Sequence, residues 1–326
     1  MFRLLGTLLL TNFFNYNNAF RIVGWFNGVQ QQIQQIPFDK YTHIVTGSPI
    51  LHDNGTLECD KGDNITKTIV NLAGENNVIV QWSGFLPKEN IIIEWANYPS
   101  IRYNYLTSLL IAMNECNIDG IEFDYEWSDR PLGKIGIVTP YMAERYSDFL
   151  QDVKNVVGST KLVSADIGTW GCCCVGCGYP LGVLQWINVT RLNNGEFDFV
   201  NVMSYHNQYF KNIDNWEEDY HFLRDIWRYN LSRVNLGIAY FSMNSSFFKI
   251  HSEPLWSNLS AYCPDIDPKL NICEGLPFTG KELNYKIGVF AKEKGFGGLF
   301  PWTINYDSFE FNNTLINWAY AGVNSI

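Results

Sequence analysis

Charged residues are scarce in this sequence, and most of them are acidic. Asp, Glu, Lys and Arg make up 17% of the 326 residues, and 33 acidic against 23 basic side chains give a formal net charge of −10. No run of basic residues occurs. Nucleic acids and anionic membranes attract clustered Lys and Arg. We therefore expect neither of them to be a partner of this protein.

Internal repeats, low-complexity linkers and a second zone of composition are also absent from the sequence. Hydrophobic residues make up 46% of it, a content that argues against a disordered chain. A chain of this length can bury one large core, and single α/β barrels commonly occupy such a length. The sequence therefore predicts a single folded domain.

The first residues resemble a secretory signal peptide. Arg3 provides a positive start, Leu4 to Leu10 form a short apolar stretch, and Ala19 is a possible cleavage point. We predict a signal peptide over residues 1–19 and one domain over residues 20–326. An uncleaved anchor is the alternative, because Asn17 is not the small residue that cleavage favours.

Eight cysteines fit the oxidising compartment that a signal peptide implies. Cys263 and Cys273 bracket a loop and predict a local disulfide. For the second group of cysteines we favour disulfides over a zinc site, without assigning pairs. This group consists of Cys172, Cys173, Cys174 and Cys177.

Seven Asn-x-Ser/Thr sequons also favour the secretory pathway. We expect a disulfide-bonded glycoprotein that is secreted or delivered to a lysosome or vacuole. The sequons begin at Asn54, Asn64, Asn188, Asn230, Asn244, Asn258 and Asn312.

Eight apolar, β-branched segments alternate with helical patterns along the chain. Such a series predicts parallel strands in a single (β/α)8 TIM barrel, an α/β fold. The predicted strands begin at Arg21, Thr42, Asn77, Gly120, Lys161, Phe197, Val234 and Phe296.

Two helix starts and one excursion interrupt this regular pattern. Thr139-Pro140 predicts a helix that begins with proline at its first position. Thr279 and Glu282 predict a capping box. The segment from Asn244 to Phe278 departs from strict alternation, and we expect it to form a surface excursion over the barrel mouth.

The stretch DGIEFDYEW, residues 119–127, alternates like a strand but carries three carboxylates. Apolar side chains beginning with Ile121 share one face. Glu122, Asp124 and Glu126 share the other, about 6.6–6.8 Å apart along the strand. In a barrel the apolar face meets the helices. The three acids then point inward and toward the C-terminal mouth, where barrel enzymes place their chemistry.

Like charges held this close cannot all ionise easily, so at least one pKa among them should be raised. A protonated acid beside a carboxylate suits the protonation of a glycosidic oxygen. The alternative is an exposed edge strand with solvated acids. The surrounding βαβ pattern argues against this alternative because it makes the strand central. Unpaired carboxylates on a central strand would lower the stability of the fold by several kcal/mol.

DGIEFDYE resembles the DGxDxDxE signature of glycoside hydrolase family 18, the chitinases and their relatives. The segment from Ser100 resembles the helix that precedes this strand. FDFVNVMSYHN, from Phe197, is similar to the sixth strand with its Met-x-Tyr motif, and GFGGLFPWTINYD, from Gly295, to the eighth. A weaker similarity in MSYHNQ points toward the di-N-acetylchitobiase branch.

The resemblance implies a retaining hydrolysis in which the substrate's own 2-acetamido oxygen is the nucleophile. Glu126 is then the general acid and afterwards the base. Asp124 bonds the acetamido N–H, and Glu122 below it can share its proton. Tyr205 aims the acetamido oxygen at the anomeric carbon.

The same resemblance places Trp302 beneath the reacting sugar. Trp25, Trp82 and Trp170 also end predicted strands, and we expect at most two of them to touch ligand. We select Trp25 and His206 as further substrate contacts. The alternative for any of these tryptophans is burial in the core, since the indole ring covers a large apolar area.

Three positions depart from the family pattern. Glu122 replaces the usual aspartate with an arm one methylene longer. His206 stands where aspartate commonly follows the tyrosine, which puts one sugar contact in doubt and adds a group that titrates near neutrality. QWSGF, residues 81–85, replaces the usual serine-x-glycine-glycine of the third strand.

The sequence thus predicts a secreted glycosidase that acts on β-1,4-linked N-acetylglucosamine, in chitin, chitooligosaccharides or the chitobiose core of N-glycans. A chitinase-like lectin is the main alternative, although Asp124 and Glu126 are both retained. A metal-dependent hydrolase ranks last, because no HExxH motif occurs. We expect a monomer without cofactor or metal, acting on short or soluble substrates.

Overall fold

The computed structural model describes residues 19–86, 91–92, 94–125, 128–129, 134–135, 140–168, 186–206, 214–242, 255–264, 266–273, 275–309 and 314–326. Nearly all of the predicted signal peptide therefore lies outside the described residues. So do Glu126, Thr139, Trp170, Asn244, Asn312 and the four clustered cysteines. No helix in the described part of the chain is long and apolar enough to cross a membrane.

Eight parallel strands close into a barrel, which confirms the predicted (β/α)8 fold. Each strand pairs with its neighbours in chain order, and the eighth closes on the first. All eight predicted segments are present. The strands are β1 Arg21–Phe26, β2 His43–Thr46, β3 Ile79–Ser83, β4 Gly120–Asp124, β5 Leu162–Ile167, β6 Phe199–Val202, β7 Val234–Ala239 and β8 Gly298–Trp302.

Helices follow the strands and cover the barrel from outside. Between β1 and β2 two short 3₁₀ turns, Gln30–Gln35 and Phe38–Lys40, take the place of a helix. The helices are α1 Asn64–Asn76, α2 Pro99–Glu115, α3 Pro140–Val157, α4 Val189–Asn193, α5 Asp214–His221, α6 Trp256–Tyr262, α7 Lys281–Glu293 and α8 Leu315–Val323.

The two predicted helix starts have different outcomes. Helix α3 begins at Pro140, as predicted. The predicted capping box at α7 is wrong, because Gly280 is the N-cap and makes no side-chain cap. Glu282 instead pairs with Lys286, at 2.7 Å. The carbonyl of Thr279 accepts a hydrogen bond from Asn284 Nδ2 within the first turn, so the chain enters the helix one residue later than predicted.

Two disulfides in the described part of the chain hold loops around the barrel. The predicted Cys263–Cys273 bridge is confirmed. A second bridge, which the sequence left unassigned, joins Cys59 to Cys116 and so links the loop after β2 to the end of α2. Disulfides of this kind stabilise mainly by restricting the unfolded chain.

The described part of the excursion between β7 and β8 includes α6, which packs near the turn Ile304–Tyr306 that follows β8, at the mouth. It is less of a surface feature than predicted. Trp256 is fully buried and stacks on Phe278 with ring centroids 4.5 Å apart. Aromatic burial of this size anchors the segment to the barrel.

Candidate active site

Strand β4 orients its side chains as the alternation predicted. Phe123 packs edge-on against Phe149 of α3, with ring centroids 4.8 Å apart. Glu122 lies on the opposite side, inside the barrel, with none of its surface exposed, and Asp124 is half-buried at the end of the strand. The exposed edge strand is therefore excluded. Glu126, two positions further along, lies outside the described residues.

A third buried carboxyl, Asp166 on β5, joins this pair. The strand register places Asp166 beside Asp124 and Ser164 beside Glu122. Asn201 of β6 donates a hydrogen bond from Nδ2 to Asp166 Oδ1, at 2.8 Å. The sequence interpretation missed Asp166. The signal was present, because Ser164 and Asp166 alternate with apolar residues in β5 as the acids do in β4.

Electrostatic crowding raises the pKa of Glu122 well above its usual value. The main cause is complete burial, followed by the charges of Asp166 and Asp124. Neither Glu122 oxygen receives a donor from another described group. Two carboxyl groups can hydrogen-bond only when one of them carries a proton. With its raised pKa, Glu122 can supply such a proton to Asp166 as well as to Asp124, the partner that the sequence suggested.

Two tryptophans meet at the mouth. Trp25 of β1 and Trp302, the last residue of β8, lie with ring centroids 5.0 Å apart and planes tilted by 48°. Both are half-buried, so part of each ring faces the opening. Trp82, by contrast, is 1% exposed and belongs to the core. Trp25 and Trp302 are therefore the described tryptophans that suit contact with a ligand.

Tyr205 lies in the turn Ser204–His206, directly after β6. Ser204 Oγ donates to the carbonyl of Gly237 at 3.0 Å and accepts from its N–H at 3.1 Å, which fastens the turn to β7. The Tyr205 ring is buried against Phe300, with centroids 6.4 Å apart. A Cβ added at Gly237 would lie 2.9 Å from Tyr205 Cδ1, so the ring needs a glycine there.

The selected residues gather at one end of the barrel, the C-terminal mouth. Asp124 and Trp302 end their strands, Trp25 is the penultimate residue of β1, and Tyr205 follows β6. His206 belongs to the same turn as Tyr205, but its side chain lies outside the described residues. Acids and paired aromatic rings thus lie at the end of the barrel where barrel enzymes place their active sites.

The chain belongs to a known family. The sequence profile of Glycosyl hydrolases family 18 matches residues 21–246. No curated protein matches the sequence.

Solved structures share the barrel at low sequence identity. A chitinase from Bacteroides thetaiotaomicron is similar with a TM-score of 0.71 and 16% identity, over 94% of this chain and 97% of that one. A family 18 chitinase from Flavobacterium johnsoniae gives 0.69 and 17%, over 94% of both chains. A chitinase-like agglutinin from Robinia pseudoacacia gives 0.65 and 14%, over 92% and 98%. The same fold thus serves both enzymes and an agglutinin.

Proposed function

We propose that this protein is a glycosidase that hydrolyses β-1,4-linked N-acetylglucosamine with retention, using the 2-acetamido group of the substrate as nucleophile. The observation that supports this most strongly is the inward pair Glu122 and Asp124 at the mouth of a family 18 barrel. A retaining enzyme without a protein nucleophile needs one proton donor and one group that steadies the acetamido cation.

Glu126 is the proton donor in this proposal. In the sequence it is the next acid of the alternation that includes Glu122 and Asp124. Its carboxyl proton passes to the glycosidic oxygen while the acetamido oxygen attacks C1 and the C1–O bond breaks. The resulting carboxylate then removes a proton from water, which opens the oxazolinium ring at C1 and restores the original configuration.

Asp124 and Tyr205 hold the acetamido group for that attack. Asp124 accepts the acetamido N–H and offsets the positive charge that forms on the ring, an interaction that strengthens toward the transition state. Tyr205 donates its hydroxyl to the acetamido oxygen. Its ring is fixed by Gly237 and Phe300, so the hydroxyl has little freedom to lose on binding.

Trp302 and Trp25 bind the apolar faces of the sugar rings, and His206 supplies a polar contact beside Tyr205. Sugars present C–H groups on one face and hydroxyls at the edge, so they suit an aromatic platform rimmed by polar groups. The tilt of 48° between the two indoles offers surfaces to two successive sugars rather than one flat shelf.

A lectin is the second candidate, because an agglutinin shares the fold. Glu122 favours the enzyme. A binding protein gains nothing from a buried acid that receives no donor from another described group, whereas a proton-transferring site can use it.

The experiment compares the wild type with Glu126→Gln on fluorogenic chitobiosides, chitooligosaccharides and released N-glycans. We expect kcat to fall by about 10²- to 10⁴-fold with binding retained. Turnover that survives the substitution would remove Glu126 from its role. Binding without turnover in both proteins would establish the lectin.

The wider setting follows from the same proposal. We propose a secreted or lysosomal monomer, residues 20–326, acting on short or soluble substrates, because the insertion between β7 and β8 is small. The two disulfides fit an oxidising compartment. Asn54, Asn64, Asn230 and Asn258 are exposed and suit glycosylation.

A further inference from the structure

A chain of hydrogen bonds crosses the barrel interior and ends at Asp166. Arg21 of β1 donates from Nε to Asn235 Oδ1 at 3.0 Å. Asn235 of β7 donates from Nδ2 to Asn201 Oδ1 at 2.8 Å, and Asn201 of β6 donates from Nδ2 to Asp166 Oδ1 at 2.8 Å. All four side chains are buried. Four strands thus contribute one polar residue each to a single path.

The chemistry of its two ends fixes the direction of this chain. A guanidinium can only donate, so the Asn235 atom that faces Arg21 must be its oxygen. Its amide nitrogen then faces Asn201, whose oxygen must accept, and the Asn201 nitrogen is left to donate to Asp166. The two amide dipoles therefore align head to tail, and bonds aligned in this way strengthen one another.

No carboxylate among the described residues lies within 4.0 Å of Arg21. The charge of Asp198, further away, still acts to raise the pKa of this guanidinium. Its other contacts are the carbonyl of Ser232 at 2.8 Å and the face of Phe199 at 4.7 Å. Burial, with help from Arg233, lowers its pKa to about 10, so the guanidinium stays charged at neutral pH. A buried charge is costly unless it is compensated. The two asparagines connect it to Asp166.

Glu122 lies two residues before Asp124, which is beside Asp166 in the strand register, and burial and the charges of Asp166 and Asp124 raise the pKa of Glu122 well above its usual value. The titratable groups close to Glu122 are Asp124 on its own strand, Asp166 on β5 and Tyr146 on α3. From β3 the neighbour in register is Ser83, which does not titrate in this range. Each of these three described neighbours is an acid, so none of them adds a positive charge that would favour ionised Glu122.

We propose that Asp166 is a positioning residue of the active site. The series of hydrogen bonds from Arg21 through Asn235 and Asn201 keeps Asp166 ionised, and Asp166 accepts a hydrogen bond from protonated Glu122. Asp124 is then left ionised toward the sugar. This inference rests on the proposed function. It also explains the departure at position 122, because a glutamate arm, one methylene longer than the family's aspartate, extends further toward β5.

The test reads the proton on Glu122 directly, without substrate. Glutamate side chains are labelled with 13C at the carboxyl carbon, and their signals are followed by NMR as the pH is changed. The Glu122 signal is assigned by its loss of titration in Glu122→Gln. We expect Glu122 to stay protonated in the wild type where the other glutamates have ionised, and to ionise at lower pH in Asp166→Asn.

A second variant, Asn201→Ala, removes the hydrogen-bond donor to Asp166. It should also lower the pH at which Glu122 ionises, but by less than Asp166→Asn does. It decides the question if Asp166→Asn does not fold. Asp307→Asn is the matched control, a buried aspartate elsewhere, and should leave the Glu122 signal unchanged. In activity assays Asp166→Asn should lower kcat by roughly tenfold to a hundredfold, with KM nearly constant and the pH profile displaced.

The outcomes separate this inference from the proposed function. A wild-type Glu122 that titrates with the other glutamates, or one that neither variant shifts, would overturn the role of Asp166 even in an active enzyme. A shifted Glu122 that responds to both variants supports that role. If such a protein turned over no N-acetylglucosamine substrate, the proposed function would fail while the proton pair remained.

Discussion

Two buried acids of this barrel, Glu122 and Asp307, differ in the hydrogen-bond donors that surround them. Asp307 follows β8 and accepts three backbone N–H groups, from Ser308 and Leu315 at 2.8 Å and from Ile316 at 3.0 Å. Glu122 receives no donor from another described group and faces further carboxyls instead. Both side chains are almost completely buried. Asp307 is satisfied by main-chain donors, whereas Glu122 has no such donor among the described residues.

The contrast shows that a raised pKa alone does not mark an active-site group. Burial raises the pKa of Asp307 to about 7 even though its three backbone donors oppose the shift. Two of its three donors, Leu315 and Ile316, belong to the start of α8, so the carboxyl joins the end of the barrel sheet to that helix, where a negative charge is favourable. Its role is structural. The absence of such donors is what distinguishes Glu122.

The largest difference in kcat should appear when one carboxylate is replaced in the candidate active site and, separately, Asp307 is replaced. Asp124→Asn should reduce kcat by about 10²- to 10³-fold and leave the free energy of unfolding nearly unchanged, because the lost interaction exists mainly in the transition state. Asp307→Asn should keep turnover. Kinetics on chitobiosides and urea denaturation of both variants measure this. An inactive Asp307→Asn enzyme of normal stability would break the comparison.

A smaller effect should separate the tyrosines at the two centres. Tyr240 and Tyr41 have their pKa raised by burial and by the charge of Asp307, whereas Tyr205 packs on Gly237 and Phe300 at the mouth. Tyr205→Phe should lower kcat by about a hundredfold, because without the hydroxyl the acetamido oxygen of the substrate is no longer aligned for attack. Tyr240→Phe, an equally buried control, should leave it unchanged. Equal losses would show that packing, and not the Tyr205 hydroxyl, sets the rate.

Most of the barrel could be predicted because each parallel strand is a local apolar run, buried on both faces and bounded by turns. The inward face of β4 was also readable, since alternation along Glu122 and Asp124 is a property of a few successive residues. The alternation of Ser164 and Asp166 in β5 was equally readable, although the sequence interpretation missed it. What could not be read is that Asp166 lies beside Asp124, because this depends on the register between β4 and β5, which no local pattern states. The Cys59–Cys116 bridge was out of reach for the same reason: 57 residues separate its ends.

The smallest expected effect on the comparison of the two acids is the change of the unfolding free energy with pH. The folded-state pKa of Asp307 is about 7 against 3.8 in the unfolded chain, so folded Asp307 keeps its proton over a range in which the unfolded state has released it. Folding is therefore favoured most at low pH, and the contribution of Asp307 is lost progressively as pH rises from about 4 to about 7. Glu122 adds a change of the same sign. In Asp307→Asn the part of this pH dependence that comes from Asp307 should disappear, and the part that comes from Glu122 should remain. The measurement is the difference in unfolding free energy between variant and wild type at successive pH values. A difference that stays constant from pH 4 to 7 would mean that the three backbone donors keep Asp307 ionised, and the two buried acids would then differ in charge as well as in partners.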